Sequence, residues 1–349
     1  MTNNAKTHIY VIDGTLTRMQ SGQESNAGLL VKLLQESAHP DLTIGYDPGV
    51  QGNGWRKWLD VASGIEINKS IAQGYRSLCE RYRPGDKIML FGYSRGAYAV
   101  RSLAGMIDRV GLLRHEVVLK RRVELAYRYY QTVQLSRSAR VFSRRYTHRV
   151  PPVIEMIGCW DTVKALGIPF PALSLMAPMV TDFHNHHLSP LIKNAFQALA
   201  LDENRTAYTP IPWRPFHGWQ GHMEQVWFAG AHADVGGQIT ALSKARPLSN
   251  IPLVWMLERA EACGLPLPEG WRSRFPCDAL APMLGPYAGI ARLFLYRENR
   301  YIRPERGDIL HPSVKERMAA IPNYQPRALR GNDGARGAAN KPIRDILQR

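Results

Sequence analysis

The sequence predicts an α/β fold, in which helices cover both faces of a mostly parallel central sheet. Short apolar runs alternate with amphipathic segments of helical length along most of the chain. The clearest unit is residues 86–105, which combine a buried strand, a sharp turn and a helix. The chain has 349 residues, of which 45% are hydrophobic and 21% charged, so it can bury a large core.

The individual elements follow from local patterns of apolar residues. The predicted strands are apolar runs that end in turn residues, and they cover residues 7–12, 41–46, 88–91, 153–158 and 225–229. The predicted helices carry apolar residues at helical spacing. They cover residues 26–36, 66–82, a stretch from Ala97, one or two helices within 114–149, and residues 191–205 and 250–262. Residues 285–305 are predicted to return to the domain surface.

The turn after the strand at 88–91 has the pattern G-x-S-x-G, with Ser94 at its centre. Glycine on either side avoids a clash at this cramped corner, and the corner exposes the hydroxyl. The following helix directs backbone N–H groups and a partial positive charge towards any anion that forms there. The pattern alone recurs by chance, but its strand–turn–helix context favours Ser94 as a nucleophile over a bystander serine.

Two more polar residues follow later predicted strands. Asp161 comes directly off the strand that begins at 153, and His232 lies in a glycine-rich loop after 225–229. Sites in open parallel sheets gather at the carboxyl ends of strands, and the order Ser, Asp, His favours His232 as a general base. Taken alone, Asp161 is equally well an N-cap, and His232 a hydrogen-bonded loop histidine. Asp234 is the alternative acid, but it is poorly placed to reach back to His232.

The loop Asp13-Gly14-Thr15 after the first predicted strand copies half of the motif of haloacid dehalogenase phosphatases. The nucleophilic aspartate of those enzymes would stand at position 11, which is Val11 in this chain. Since no aspartyl-phosphate can form on valine, that chemistry is excluded.

The formal net charge of +16 is the unusual feature of the composition. It predicts an anionic partner such as a phospholipid surface, a nucleic acid or an acidic protein, although a solvated basic surface has the same composition. Basic residues and tyrosines concentrate in 114–149, which suits anionic lipid head groups or nucleic acid. No secretory signal and no apolar run of about 20 residues is visible, so we expect a cytoplasmic location, with export by a dedicated system left open.

The residues that commonly bind metals form no recognisable pattern. Four scattered cysteines contain no CxxC pair and are predicted to be reduced thiols. The histidines at 184, 186 and 187 lack matching carboxylates or cysteines. We therefore predict no metal site and no cofactor.

Several segments together resemble one known family. In chain order they are Asp13-Gly14-Thr15, Tyr46-Asp47-Pro48-Gly49-Val50, Gly92-Tyr93-Ser94-Arg95-Gly96-Ala97-Tyr98, Trp160-Asp161-Thr162-Val163, Ala200-Leu201-Asp202-Glu203 with Arg205, and residues 225–237. They resemble the α/β-hydrolase family that includes the catalytic domains of type VI secretion phospholipase effectors. The resemblance implies an α/β-hydrolase-like fold over residues 1–326, with cap insertions at about 111–150 and 166–190. A mobile basic tail is expected over 327–349.

The resemblance and the residue patterns imply the same roles at the site. Ser94 is the expected nucleophile, His232 the general base and then acid, and Asp161 the residue that orients the imidazole. The expected oxyanion donors are the backbone amides of Arg95 and of Gly14 or Thr15. Asp13 and Asp234 are expected to support their loops.

These residues predict a serine hydrolase that cleaves carboxylic esters, with lipid or phospholipid acyl esters favoured by the basic charge and the apolar segment at 166–180. A thioesterase or peptidase with the same residues stays open. The alternative from another class is a degenerate scaffold that binds nucleic acid or an anionic membrane. Nucleic acid is the less favoured partner, since no recognised nucleic-acid motif is present. A peripheral contact with an anionic membrane is possible, and the oligomeric state is not predicted.

Overall fold

The structure is a computed structural model, and it describes residues 5–15, 17, 19–49, 65–132, 134–163, 188–239, 242–288 and 294–329. The strands in this part of the chain are β1 (Thr7–Ile12), β2 (Leu42–Asp47), β3 (Lys87–Tyr93), β4 (Val153–Trp160), β5 (Ile192–Ala200), β6 (His222–Phe228) and β7 (Asp308–Leu310). They form one seven-stranded sheet in the order β2-β1-β3-β4-β5-β6-β7, in which every neighbouring pair is parallel.

Helices lie on both faces of this sheet. Within the described residues they are α1 (Asn26–Ser37), α2 (Ile65–Arg81), α3 (Arg95–Val110), α4 (Lys120–Tyr130), α5 (Arg137–Tyr146), α6 (His232–Gly236), α7 (Arg246–Ala262) and α8 (Pro312–Ala320). Successive strand residues point to opposite faces. Met89 and Phe91 therefore belong to one core with α1 and α7, whereas Ile88 and Leu90 belong to the other with α2 and α3. The predicted α/β class is confirmed.

The strand register determines which residues meet at the carboxyl edge of the sheet. Tyr93 of β3 pairs with Trp160 of β4, and Trp160 pairs with Ala198 of β5. Ala200 of β5 pairs with Phe228 of β6. The residues that follow β3, β4 and β6 therefore leave the sheet at the same edge.

The helix predicted over 191–205 is wrong, because residues Ile192–Ala200 form strand β5. The run from Ala195 to Ala200 is rich in alanine and leucine, which favour a helix in isolation. β5 lies between β4 and β6, and all six of these residues are buried. A parallel strand covered on both faces shows no polar alternation, so its pattern does not distinguish it from a buried helix.

Two other local predictions differ from the structure. His232 is predicted in a loop, but it begins the single-turn helix α6, which is followed by the C-cap residue Gly237 with a φ of +82°. The segment at 285–305 returns to the surface at Leu295 and Tyr296, whereas Phe294 and Arg300 are buried. β7 and α8 follow this segment and were not predicted.

Residues 114–149 contain the two helices α4 and α5, which pack against each other as an antiparallel hairpin. The ring of Tyr129 contacts that of Phe142 at 5.4 Å between centroids, and the Arg122 guanidinium lies 4.5 Å from the centre of the Tyr146 ring. Whether this hairpin acts as a cap stays a prediction.

Other predicted features lie outside the described residues. They are most of the second cap insertion, the histidines at 184, 186 and 187, and the tail from residue 330 onwards. Among the helices that are described, none is both long and apolar enough to cross a membrane.

Candidate active site

Ser94 occupies a strained turn between β3 and α3. Its backbone has φ +59° and ψ −122°, values that a residue with a side chain rarely adopts. A Cβ on Gly92 would lie 2.6 Å from the amide nitrogen of Ala97, and a Cβ on Gly96 would lie 2.1 Å from the carbonyl oxygen of Ile12. Both flanking positions therefore require glycine, and the turn presents the Ser94 hydroxyl at the carboxyl edge of the sheet.

Ser94, His232 and Asp161 lie in one continuous hydrogen-bonded chain. The Ser94 hydroxyl donates to His232 Nε2 at 2.8 Å, and His232 Nδ1 donates to Asp161 Oδ2 at 2.6 Å. The three residues come from the ends of β3, β6 and β4, and their solvent exposures are 7%, 4% and 0%. The structure thus brings together the three residues singled out from the sequence.

Asp161 is fully buried, and its carboxylate accepts three hydrogen bonds besides the one from His232. Oδ1 accepts from the Ala200 amide at 3.0 Å and from Arg300 Nη1 at 2.6 Å, and Oδ2 accepts from Arg300 Nη2 at 2.9 Å in addition to His232. Burial alone would raise the pKa of Asp161, but the Arg300 charge and the hydrogen bonds from His232 and Arg300 outweigh it and hold this pKa well below its usual range. Asp161 is therefore ionised.

The imidazole of His232 is enclosed by two tyrosines. Tyr93 stacks on it at 4.9 Å between ring centroids, and Tyr208 meets its ring at 4.8 Å with the planes 62° apart. Burial lowers the pKa of His232, and the Asp161 carboxylate opposes this only in part. The imidazole is therefore neutral at pH 7, with Nε2 able to accept a proton.

A buried ion pair holds the backbone of His232. Glu203 Oε2 accepts from the His232 amide at 3.2 Å and from Arg205 Nη2 at 2.6 Å, while Oε1 accepts from Arg205 Nε at 2.8 Å. Burial would raise the pKa of Glu203, but the Arg205 charge outweighs it and lowers this pKa. The Arg205 guanidinium in turn lies 3.8 Å from the centre of the Tyr208 ring. This pair therefore links the start of α6 to the tyrosine that contacts the imidazole.

The predicted oxyanion donors lie at the start of α3 and in the loop that follows β1. Arg95 is the first residue of α3, so its amide belongs to a turn that lacks acceptors within the helix itself. The Gly14 amide donates to Asp13 Oδ1 at 2.7 Å and is therefore engaged within its own loop. The Thr15 hydroxyl is buried and has no hydrogen-bond partner among the described residues. Which of the two amides is the second donor stays a prediction.

Asp13 and Asp234 both hydrogen-bond to loop residues. Asp13 accepts from the Ser25 hydroxyl at 2.7 Å and from the Tyr46 hydroxyl at 2.9 Å, in addition to the Gly14 amide. Burial raises the pKa of Asp13, and these hydrogen bonds oppose the shift.

Asp234 is only two residues after His232 in sequence, but its carboxylate hydrogen-bonds to backbone amides. It accepts from the amides of Ala231, Leu284 and Gly285 at 2.9, 2.7 and 3.0 Å. The carboxylate that contacts the His232 ring is that of Asp161.

Arg300 is the residue of this site that sequence reasoning missed. It lies 139 positions after Asp161 in a segment without periodicity, and nothing distinguishes it from the other Lys and Arg residues, 45 in all. Glu203 and Arg205 were part of a family-like segment, but their contact with His232 was not expected. The only available signal was the presence of paired charges in that segment.

The parallel sheet and the Ser94 turn define a chain of the α/β-hydrolase type. The sequence pattern of one family matches residues 6–259, which is more than half of the chain. That family is described as the catalytic domain of Tle1-like phospholipase effectors of the type VI secretion system (T6SS). The chain belongs to this family, and the resemblance noted from the sequence is confirmed.

Individual relatives are more distant. An uncharacterized protein of Saccharomyces cerevisiae is 26% identical over 243 residues, which cover 61% of this chain and 34% of that protein. A crystal structure of an uncharacterized protein from Pseudomonas aeruginosa is 17% identical, with a TM-score of 0.44, and the match covers 78% of this chain and 49% of that one.

A Tle1 effector bound to the VgrG spike of the type 6 secretion system is 18% identical, with a TM-score of 0.35 and coverage of 67% and 51%. The chain thus spans about half or less of the length of these relatives.

Proposed function

We propose that this protein is a serine hydrolase that cleaves carboxylic esters through an acyl-enzyme. The observation that carries the proposal is the continuous hydrogen-bonded chain from the Ser94 hydroxyl through the His232 imidazole to the Asp161 carboxylate. A serine hydroxyl is a poor nucleophile at neutral pH, and this arrangement supplies the adjacent base that it needs. The lowered pKa of His232 supports the role, since it leaves Nε2 unprotonated at pH 7.

The reaction proceeds in two halves. Ser94 Oγ attacks the ester carbonyl carbon while its proton moves to His232 Nε2, and the carbonyl oxygen becomes an oxyanion. His232 then gives that proton to the departing alcohol, which leaves the acyl group on Ser94. A water molecule next attacks the acyl carbon, its proton moves to Nε2, and the same proton returns to Ser94 as the acid departs. Asp161 stabilises the imidazolium that forms twice in this sequence.

The oxyanion forms beside the start of α3. The Arg95 amide is the first donor in the proposal, because it follows the nucleophile directly and opens the helix. Thr15 is the second, through its amide or its buried hydroxyl. Its loop is held by Gln238, whose Nε2 donates to the Thr15 carbonyl at 3.1 Å. Loss of one such donor raises the barrier by about 3 kcal/mol.

We infer that the substrates are lipid or phospholipid acyl esters. Membership of a family of phospholipase effector catalytic domains supports this class. A thioester or a peptide bond requires the same groups at the acyl carbon, so these substrates are outcomes of a substrate panel rather than separate mechanisms.

The proposal is tested by covalent labelling with a fluorophosphonate and by a panel of short-chain esters, phospholipids, thioesters and peptides. We expect labelling of the wild type at Ser94 and no labelling of Ser94→Ala. Ser102→Ala is the matched control, because Ser102 is a buried serine on α3 whose hydroxyl donates to the Tyr98 carbonyl. Labelling that persists in Ser94→Ala, or an absence of labelling in the folded wild type, would overturn the proposal.

A further inference from the structure

Half of the net charge of the protein is concentrated in one helical hairpin. Residues 114–149, here called the basic hairpin, comprise α4, α5 and their flanking segments. They contain ten Lys or Arg residues and two Glu residues, a net charge of +8 against +16 for the whole chain. The concentration is local, so it needs an explanation specific to this hairpin.

Most cations of the basic hairpin are exposed, and these have no acidic partner within the described part of the chain. Nine of the ten are exposed, namely Arg114, Lys120, Arg121, Arg128, Arg137, Arg140, Arg144, Arg145 and Arg149. Among the residues that the structure describes, none of these nine forms an ion pair with a carboxylate. Elsewhere on the surface such pairs occur, as between Arg274 and Glu36 at 2.6 Å and between Arg76 and Glu80 at 2.7 Å. The hairpin therefore presents positive charge that forms no ion pair with the carboxylates that the structure describes.

Large aliphatic side chains are exposed among these cations. Leu119, Val141 and Val150 are 45%, 55% and 74% exposed. Val141 lies on α5 directly after Arg140, and Val150 directly follows Arg149. A helical surface that combines lysine or arginine with exposed aliphatic groups matches the interface of a lipid bilayer, where the cations contact head groups and the apolar groups enter the acyl boundary.

The aromatic residues of the hairpin argue against nucleic acid as the partner. Binding of single strands depends on exposed aromatic faces on which bases stack. Tyr130 is buried, and Tyr129 and Tyr146 pack against Phe142 at 5.4 and 5.2 Å between ring centroids. These rings are packed inside the hairpin or against its neighbours, so the outer surface offers cations and aliphatic groups instead.

We propose that the basic hairpin docks on an anionic phospholipid surface. The docking itself is independent of the hydrolase reaction, and only its connection with lipid ester substrates rests on the proposed function. Each basic side chain near an anionic surface contributes to binding, and salt screens the attraction within a Debye length of about 10 Å at 0.1 M.

The test compares binding of the full chain to phosphatidylcholine vesicles with and without phosphatidylglycerol. The hairpin variant combines Lys120→Glu, Arg121→Glu, Arg137→Glu and Arg144→Glu. The matched control combines Arg214→Glu, Lys244→Glu, Arg306→Glu and Arg327→Glu, which changes the net charge equally at exposed positions outside the hairpin. We expect the wild type and the control to bind anionic vesicles strongly at low salt, and the hairpin variant to bind at least about tenfold more weakly.

A second variant tests the aliphatic contribution. Val141→Ser with Val150→Ser leaves every charge in place, and we expect it to weaken vesicle binding severalfold while the salt dependence is retained. Equal binding of the wild type to neutral and anionic vesicles would overturn the proposal. So would an equal loss in the control, or hairpin-dependent binding of RNA without vesicle binding.

The failure of this proposal and that of the proposed function are distinguishable. Ser94→Ala is expected to bind vesicles like the wild type, and the hairpin variant to cleave a monomeric short-chain ester like the wild type. Vesicle binding without any esterase activity would support the docking surface and reject the hydrolase proposal. Esterase activity without a preference for anionic vesicles would support the hydrolase proposal and reject the docking surface.

Discussion

Two hydrogen-bonded sets of hydroxyl, imidazole and carboxylate occur among the described residues, one at each edge of the sheet. At the carboxyl edge, Ser94 donates to His232 Nε2 at 2.8 Å and His232 Nδ1 donates to Asp161 at 2.6 Å. At the amino edge, His8 Nε2 donates to Asp86 at 2.8 Å and His8 Nδ1 lies 2.6 Å from the Thr43 hydroxyl. The distances are nearly the same, so they do not separate the two sets.

The two sets differ in the backbone conformation of the residue that carries the hydroxyl. Thr43 lies within strand β2 directly opposite His8 in the parallel register, so its hydroxyl bridges two neighbouring strands. Ser94 lies in a turn with positive φ at the start of a 16-residue helix, where the proposed function places the oxyanion.

The carboxylates differ in the same way. Asp86 also accepts from the amides of Lys6 and Arg83 at 2.9 and 2.8 Å, which ties the starts of β1 and β3 together. Asp161 is instead paired with a buried arginine. His8, Thr43 and Asp86 are therefore called the brace here, since they connect neighbouring strands. The comparison teaches that the position of these residue types on the backbone, more than their identity, distinguishes a candidate site from such a brace.

The largest contrast is expected from removal of the two hydroxyls. Ser94→Ala removes the proposed nucleophile and lowers kcat/KM for short p-nitrophenyl esters at least about 10,000-fold. Thr43→Val keeps the shape of the brace and changes kcat/KM less than about twofold, because no reacting atom touches it. Steady-state kinetics on both folded variants check this. A loss of comparable size in Thr43→Val would erase the distinction drawn between the two edges.

Removal of the two carboxylate charges gives the next contrast. Asp161→Asn disturbs the tautomer of His232 and lowers kcat about 10,000-fold, with a folded structure by circular dichroism. Asp86→Asn leaves kcat within about threefold but lowers the free energy of unfolding by about 1–3 kcal/mol, since two backbone amides lose a charged acceptor. Urea unfolding beside the kinetics measures both effects. If kcat fell more in Asp86→Asn, the assignment of roles would be reversed.

Much of this arrangement was predictable from the sequence. Ser94, Asp161 and His232 each follow a strand with a clear apolar pattern, so their positions at one edge came from the strand order alone. β5 was missed because its run from Ala195 to Ala200 is buried on both faces and shows no alternation. The local pattern is informative where one side of an element meets solvent, and it loses information where both sides are covered.

The charges that surround the site were not predictable. Arg300 contacts Asp161 from a segment without secondary structure. The Glu203–Arg205 pair lies beside His232 because β5 and β6, which precede these residues, are neighbours in the sheet. Such contacts are tertiary, and the residue types involved are common on any surface. For the same reason, the brace of His8, Thr43 and Asp86 could not be told from a site by its composition.

Arg300 marks a difference between the two carboxylates. Asp161 pairs with the Arg300 guanidinium, whereas Asp86 accepts hydrogen bonds from backbone amides. We propose Arg300 as a positioning residue: it holds Asp161 through Nη1 and Nη2 and also donates to the Ala200 and Tyr208 carbonyls at 2.9 and 2.5 Å. Arg300→Met is expected to lower kcat about tenfold to 100-fold, the scale of a small misplacement of catalytic groups.

The pH profile separates positioning from a merely structural role for Arg300. The charged groups around the imidazole are Asp161, Glu203, Arg205 and Arg300. Without the positive charge of Arg300, Asp161 stabilises the imidazolium more strongly, so the pKa of His232 rises and the acid limb of kcat/KM moves to higher pH. Arg300→Lys keeps the charge and is expected to leave the limb near its wild-type position. An unmoved limb in a folded Arg300→Met protein would contradict the electrostatic role.

The smallest expected effect concerns the brace and its dependence on pH. Burial lowers the pKa of His8 from 6.5, and the Asp86 hydrogen bond opposes this only in part. The unfolded chain therefore binds the proton more readily, so this residue reduces stability as the pH falls below about 6.5. At pH 7.5, His8→Gln is expected to lower the free energy of unfolding by about 1–2 kcal/mol through lost hydrogen bonds.

The difference between wild type and His8→Gln is expected to narrow on acidification, because only the wild type must protonate His8 when it unfolds. Urea unfolding at pH 7.5 and at pH 5.5 measures the two differences. The other histidines with lowered pKa, His148, His232 and His311, are present in both proteins and cancel. A difference that widens at pH 5.5 would mean that Asp86 raises the pKa of His8 above 6.5, so that the brace is an ion pair. His8 would then be protonated at pH 5.5 and His232 neutral. The two sets of residues would in that case share their hydrogen-bond distances but not the charge of their imidazoles.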